Sequence, residues 1–469
     1  MSRLVVVSNR VPAKDMANVG ATAGGLAVAL KAALAQRGGL WFGWSGATCR
    51  DEDNCLHTES DGKITYALLD LTERDIEEYY QGFANRALWP LFHYRLDLTD
   101  FSRDDMAGYF RVNEYFARTL APLLRPDDVI WVHDYHLIPL ASALRAVGIR
   151  NSIGFFLHIP FPPADLFFAL PPHRDLVRAL TTYDLIGFQT DYDLENFTGC
   201  LLREGLATRK GGQIVDAYAK PIRAGAFPIG IETQEFSEMA VRAERNNLVR
   251  RMRASLNYRE LIIGVDRLDY SKGIAERMNA FARFIERNPT MRNRVTYLQV
   301  TPKSRSAVPE YTAMQREVAE IAGRINGAYG ELDWTPIRYV NRSVARSSLA
   351  GLFRLSQVGL VTPLRDGMNL VAKEFVAAQN SVDPGVLVLS CFAGAARELD
   401  GALIVNPYDI DETAAAIAAA LAMPMDERIA RWRGMYARLH RNNVTRWRDS
   451  FLDRLAGPER RARPVAIAG

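Results

Sequence analysis

The stretch that decides the fold is Leu261-Ile262-Ile263-Gly264-Val265-Asp266-Arg267-Leu268-Asp269-Tyr270-Ser271-Lys272-Gly273, with a helical pattern over Ala275–Asn288 behind it. A short apolar run with no polar alternation reads as a strand buried on both faces of a parallel sheet. The polar, Gly-closed turn and the helix then complete a strand–turn–helix unit. The unit recurs downstream, with strands predicted at Val295–Val300, Ile337–Val340, Val358–Val361, Val386–Leu389 and Ala402–Val405, and a helix at Glu310–Arg324. Upstream a second series has strands at Leu4–Val7, Val129–Val132, Ile153–Leu157, Leu185–Phe188 and Ala226–Ile229, with a helix at Leu26–Gln36. Alternating strands and helices in two series predict two doubly wound α/β domains. The boundary is expected near 232–258, and a long helical stretch at Asp426–Leu455 closes the chain.

Composition agrees with this reading. The chain has 469 residues, 48% hydrophobic and 24% charged, so a disordered chain is excluded. Its net charge of +4 excludes nucleic-acid binding driven by bulk charge. The four cysteines, Cys49, Cys55, Cys200 and Cys391, form no C-x-x-C pair and no disulfide scaffold. No signal peptide and no membrane span are read, and a cytoplasmic enzyme is expected.

Ligands of open α/β sheets bind beyond the carboxyl ends of the strands, so the residues there are the informative ones. Two such domains facing each other would line one cleft with those ends. Ser8-Asn9-Arg10 follows the first strand, and Gly24-Gly25 precede a helix. Arg10 suits a phosphate and the glycines let backbone amides approach an anion. A plain strand–helix turn explains the same residues equally well, and no G-x-G-x-x-G is present. In Trp131-Val132-His133-Asp134-Tyr135-His136, the two histidines carry a metal-site alternative that lacks a third ligand. Asp134 is better read as an acceptor for sugar hydroxyls, with His133 and His136 as partly buried hydrogen-bonders. His158 ends another strand and reads as structural or functional alike. Tyr80 and Trp89 lie in an aromatic segment suited to sugar faces or to a small core.

The second series carries more cations. Arg267 and Lys272 can converge on a pyrophosphate, and Lys272 is one of only eight lysines. Lys303 and Arg305 follow the next strand. Asp366 lies in a Gly turn before a helix start, Leu370-Val371-Ala372-Lys373-Glu374, which offers free N–H groups to an anion. Glu374, one turn in, can accept from both ribose hydroxyls.

These residues closely resemble the retaining glycosyltransferases that make trehalose 6-phosphate. The resemblance runs from Arg3–Arg10 to Ala402–Tyr408 and includes Trp41–Gly46, Leu88–Asp97, Trp131–Leu137, Arg267–Gly273 and Gly359–Glu374. It implies an α/β GT-B fold, two facing Rossmann-like domains with parallel sheets. Residues 1–235 would be the acceptor domain, to which a helix at about 440–456 returns. Residues 236–440 would be the donor domain and 457–469 a flexible tail. The implied reaction joins UDP-glucose and glucose 6-phosphate, giving α,α-trehalose 6-phosphate and UDP. Acceptor binding is carried over to Arg10, Tyr80, Trp89, Asp134 and Arg305. Donor binding is carried over to Gly24, Gly25, His158, Arg267, Lys272, Val344, Asp366 and Leu370–Glu374. His158, Asp134, Arg267 and Lys272 would act in catalysis. No cofactor or metal, no nucleic acid and no membrane partner are expected, and a homo-oligomer, dimer or tetramer, is left open. Rival readings are a same-fold glycosyltransferase using another nucleotide-glucose donor or another phosphorylated acceptor such as glycerol 3-phosphate, an NAD-dependent dehydrogenase, for which the Gly fingerprint is missing, and a non-catalytic sugar-phosphate sensor.

Overall fold

The computed structural model describes residues 2–11, 27, 30–31, 34, 38–50, 56–210, 213–216, 221–302 and 309–461. Its described part divides into two units. One holds residues up to Pro228 and from Val444 onward, the other Ile229–Asn443.

The first unit contains β1 (Leu4–Arg10), β2 (Gly39–Thr48), β3 (Leu56–Asp61), β4 (Ile64–Leu71), β5 (Val129–His133), β6 (Ser152–Phe156), β7 (Leu185–Phe188), β8 (Ala207–Lys210), β9 (Gln213–Asp216) and β10 (Ala224–Ala226). Eight of them form one sheet in the order β10-β7-β6-β5-β1-β2-β4-β3, with β8 and β9 paired separately. Pairing is parallel throughout the large sheet except between β3 and β4. Val5, Val6 and Val7 are fully buried, as a central parallel strand requires. Three strands of this sheet were not expected. β2 breaks its apolar run with glycines, and β3 is almost wholly exposed and carries no apolar signal. As the antiparallel edge strand it needs none. The strand expected at Ala226–Ile229 lies slightly earlier, at β10.

The second unit contains β11 (Glu260–Val265), β12 (Val295–Val300), β13 (Ile337–Val340), β14 (Val358–Val361), β15 (Val386–Ser390) and β16 (Leu403–Val405). All six expected strands are present. They form an all-parallel sheet in the order β13-β12-β11-β14-β15-β16. Counted from its own first strand this is 3-2-1-4-5-6, the Rossmann order, whose direction reverses between β11 and β14. Its core packs Ile262, Met278, Phe281, Tyr297, Leu360 and Val388 between sheet and helices.

The expected long terminal helix is two helices, Met425–Arg441 and Val444–Arg461. The second belongs to the first unit, where Trp447 and Phe451 lie 4.8 and 4.9 Å from the Trp131 ring. Among the described residues no helix is long and apolar enough to cross a membrane.

Candidate active site

In the second unit, the loops after β11 and β14 meet at the point where the strand order reverses. Asp269 organises the first loop. Its Oδ1 accepts from the Ser271 amide (3.0 Å) and hydroxyl (2.8 Å), and its Oδ2 from Tyr311 (3.1 Å). Gly273 has φ 61°, and a Cβ there would lie 2.4 Å from the Thr362 carbonyl oxygen. Only glycine lets this turn seat against the end of β14. Arg277, on the following helix Ile274–Arg287, is 1% exposed and ties the turn together. It donates to Asp266 Oδ2 (2.6 Å), Thr362 Oγ1 (3.0 Å) and the Lys272 carbonyl (3.0 Å). Burial pushes the Asp266 carboxyl upward, and the Arg277 guanidinium works against that shift. Asp266 and Asp269 are thus both engaged within the loop.

Lys272 is held with its Nζ 2.5 Å from Asp366 Oδ2, which also accepts from Asn369 Nδ2 (3.0 Å). Asn369, at φ 74°, caps the helix Leu370–Ala378 by accepting from the Ala372 amide (3.1 Å). The cap leaves the Leu370 and Val371 amides at the helix end, with the positive pole of the helix behind them. One chain of contacts therefore links an ammonium, a carboxylate, a cap and a helix N-terminus.

The remaining donor-side expectations are placed as follows. Arg267 is exposed at the end of β11, and Val344 is half-buried ahead of the helix Arg346–Leu355. Glu374 Oε1 accepts from Arg346 (3.1 Å), burial raises its carboxyl, and Arg346 opposes the rise. The Lys373 side chain takes no part in the helix end. It is fully buried, paired with Glu398 and donating to the Ile229 carbonyl (2.7 Å). Gly24, Gly25, Lys303 and Arg305 lie outside the described residues.

In the first unit, the strand order reverses between β1 and β5. Arg10 is exposed at the end of β1, its guanidinium 5.5 Å from the Trp44 ring centre. At the end of β5, Asp134 adopts φ 77°, a strained conformation for a residue with a side chain. Its Oδ1 accepts from the His158 amide at 3.3 Å. His158 sits between two protein groups, with His133 Nδ1 at 3.0 Å from its Nε2 and Gln189 Nε2 at 3.3 Å from its Nδ1. Burial drives its imidazole down to about 3, and His133 is pushed well below its ordinary value by burial and by His158. Both rings are neutral near pH 7, which suits hydrogen bonding and not proton carriage.

Beside them runs an aromatic file. Tyr80 stacks on His136 at 5.9 Å with planes 16° apart, His136 lies 3.9 Å from the Tyr135 ring, and Trp89 lies 5.7 Å from Tyr135. His133 and His136 therefore serve different neighbours, His158 and Tyr80. Among the described residues no group of three or more His, Cys, Asp or Glu side chains could hold a metal ion.

Arg277, Gln189, Asn369 and Arg346 were not singled out in the sequence. Only Asn369 carries a local signal, as an Asn immediately before a helix.

The model of glycosyltransferase family 20 matches residues 2–457. This chain belongs to glycosyltransferase family 20. Among curated members, the chain is 62% identical over 457 residues to the trehalose-6-phosphate synthase of Sinorhizobium fredii (strain NBRC 101917 / NGR234), covering 97% of this chain and 98% of that one. It is 50% identical over 452 residues to that of Salmonella choleraesuis (strain SC-B67), covering 96% and 94%. Among solved members, it resembles the UDP-forming α,α-trehalose-phosphate synthase of Burkholderia xenovorans in complex with glucose-6-phosphate. There the TM-score is 0.93 at 52% identity, covering 97% and 100%. An E. coli family structure bound with UDP-2-fluoro glucose matches with a TM-score of 0.91 at 48% identity, covering 97% and 99%.

Proposed function

We propose that this glycosyltransferase moves glucose from UDP-glucose to glucose 6-phosphate with retention, giving α,α-trehalose 6-phosphate and UDP. The observation that carries the reading is the Lys272–Asp366–Asn369 chain at the reversal point of the second sheet, in a family 20 chain matched over residues 2–457. It sets a fixed cation beside the free amides of a helix end, which is what a departing diphosphate needs.

Retaining glycosidases use a free nucleophilic carboxylate. On the donor side, Asp266 is bonded to Arg277, Asp269 to Ser271 and Tyr311, and Asp366 to Lys272 and Asn369. That supports front-face substitution. The bond from the glucosyl C1 to the UDP phosphate oxygen breaks as the bond to the acceptor's anomeric oxygen forms. The acceptor's hydroxyl proton passes to the leaving phosphate oxygen. Lys272, Arg267 and the Leu370–Val371 amides stabilise the diphosphate, and Glu374 accepts from the ribose. Tyr80, Trp89, Asp134 and Arg10 receive the acceptor, and Arg305 is assigned to its phosphate. A cytoplasmic location, alongside a nucleotide-sugar donor, fits this reaction.

The test is to incubate the pure protein with glucose 6-phosphate and, separately, UDP-, GDP- and ADP-glucose, and to identify the product by mass and by enzymatic digestion. A 1,1-linked disaccharide phosphate with UDP-glucose is expected. Free glucose alone, or no product with any donor, would sink the reading.

A further inference from the structure

The segment that carries Tyr80 and leads into Trp89 is wound unusually. Ile76–Leu88 is a thirteen-residue π-helix, and the Trp89 amide at its end donates to Ala84 O, five residues back. Such helices are rare and mostly single-turn, so three turns of one call for a cause.

The two sides of this helix have different partners. One side meets the helix Arg103–Leu120. Glu78 accepts from Arg111 (2.9 Å), Arg86 donates to Asp105 (3.1 Å), and the Phe83 ring lies 4.7 Å from Tyr109. The helices approach closely at two glycines: a Cβ on Gly82 would stand 2.4 Å from Asp105 Cγ, and one on Gly108 of the facing helix 2.4 Å from Glu78 Cβ. The other side meets the loop after β5. Tyr80 stacks on His136, Asn85 accepts from the Tyr135 hydroxyl (2.9 Å), and Trp89 packs on Tyr135.

Tyr80 and Trp89 are nine residues apart. In an α-helix nine residues make about two and a half turns, which puts the two side chains on opposite faces. In an i→i+5 helix, at roughly 4.4 residues per turn, nine residues make about two turns and the side chains share one face. The observed contacts are those of the second geometry.

We propose that the π-helical winding of Ile76–Leu88, held by the seating of Gly82 against Asp105, sets acceptor recognition by bringing Tyr80 and Trp89 onto one face. Gly82, Arg86 and Asp105 are positioning residues. They keep the wide helix against its neighbour so that the two rings stay aligned. The proposal rests on the acceptor reading given above.

The experiment separates the two. Tyr80→Phe and Trp89→Phe test the reading, and Gly82→Ala and deletion of Ala84 test the winding. Deletion leaves the rings eight residues apart, where neither winding aligns them, and the glucose 6-phosphate KM should rise about a hundredfold, the cost of misplacing a substrate by an ångström. Gly82→Ala should raise it by about tenfold on the same basis. UDP affinity by calorimetry should stay within about twofold, well inside that range. Adding Asp105→Ala, which removes the atoms the new methyl would strike, should return KM to the value of Asp105→Ala alone. If Gly82→Ala leaves the acceptor KM at the wild-type value while Trp89→Phe raises it, the winding has no such role. The same holds if Gly82→Ala weakens UDP as much as acceptor. If Tyr80→Phe and Trp89→Phe both leave KM unchanged, the acceptor reading fails and the proposal falls with it. Should the deletion variant fail to fold by circular dichroism, Gly82→Ala and its double variant decide alone.

Discussion

The two sheets end in opposite chemistries. At the reversal point of the second sheet, Asp266, Lys272, Arg277 and Asp366 are all largely buried, and each charge is paired with another. At the reversal point of the first, His133 and His158 are neutral, and the neighbouring surface is built from the rings of Tyr80, His136, Tyr135 and Trp89. Taking charges out of water is costly even when they are paired, and well-packed apolar groups often do as well. Buried, mutually paired charge stands at one end, while at the other Arg10 and Asp134 stand beside neutral rings. A diphosphate needs fixed cations whose geometry does not relax during reaction. A hexose needs flat faces and hydroxyl partners. One strand–turn–helix rule builds both ends, and only the loop residues decide which chemistry each end holds.

The comparison breaks most readily at Lys272. If the buried cation does its work on the leaving diphosphate, Lys272→Ala should lower kcat by about a hundredfold or more, the scale of losing one preorganised electrostatic donor. Asp366 would then be left without its cation, so a modest loss in melting temperature is also expected. Because Asp266 and Asp269 are engaged by Arg277, Ser271 and Tyr311, a divalent metal has no acidic pair to bind there. Initial rates after EDTA treatment and gel filtration should match the untreated enzyme, and Mg²⁺ should not rescue Lys272→Ala. A rate that collapses and returns with Mg²⁺ or Mn²⁺ would move the electrostatic work from Lys272 to a metal.

Glu374 sharpens the comparison. Its Oε1 is held by Arg346, whose guanidinium also lies 4.9 Å over the Phe236 ring. Arg346 thus fixes the carboxylate through Oε1, and on the proposed reading Oε2 would serve the ribose hydroxyls. Glu374→Leu should weaken UDP and GDP by a similar amount, about 1.5–3 kcal/mol for hydrogen bonds to a charged group. Calorimetry showing a loss for one nucleotide only would assign the residue to the base instead. Glucose 6-phosphate affinity should be unchanged.

What the sequence made legible follows from what each residue needs for its placement. The inner strands of the second unit are mostly apolar runs because both faces are covered, and they could be read one by one. β3 could not, because an exposed antiparallel edge carries no apolar pattern. Lys272, Asp366 and the helix start at Leu370 were readable because they directly follow strands. Arg277 was not. It shares a helix with Ile274, Met278 and Phe281, and an Arg there reads as a solvated position until Asp266 folds against it. The alignment of Tyr80 with Trp89 was hidden for a different reason. An α-helical template places residues nine apart on opposite faces, so the pattern looks unrelated until the helix is seen to be wound i→i+5.

The smallest effect expected concerns the neutral histidines. Unfolded, an imidazole titrates near 6.5. Folded, burial lowers His158 to about 3 and His133 well below its usual value. Between those limits the unfolded chain holds more protons than the native one, so stability rises with pH. The contribution is fully present above about pH 6.5 and is lost as pH falls toward the folded value. Urea melts at pH 7.5 and pH 5 should show this difference, and it should be shallower in His133→Asn, which removes one of the two buried rings. Other groups titrate in the same interval, so the difference between wild type and variant is the reading and not the slope of either alone. Imidazole resonances give the direct check. Those of His158 should stay at their neutral positions from pH 8 to pH 5. A midpoint near 6.5 would show a solvated, chargeable ring and would erase the contrast between the paired charges at the end of the second sheet and the neutral imidazoles at the end of the first.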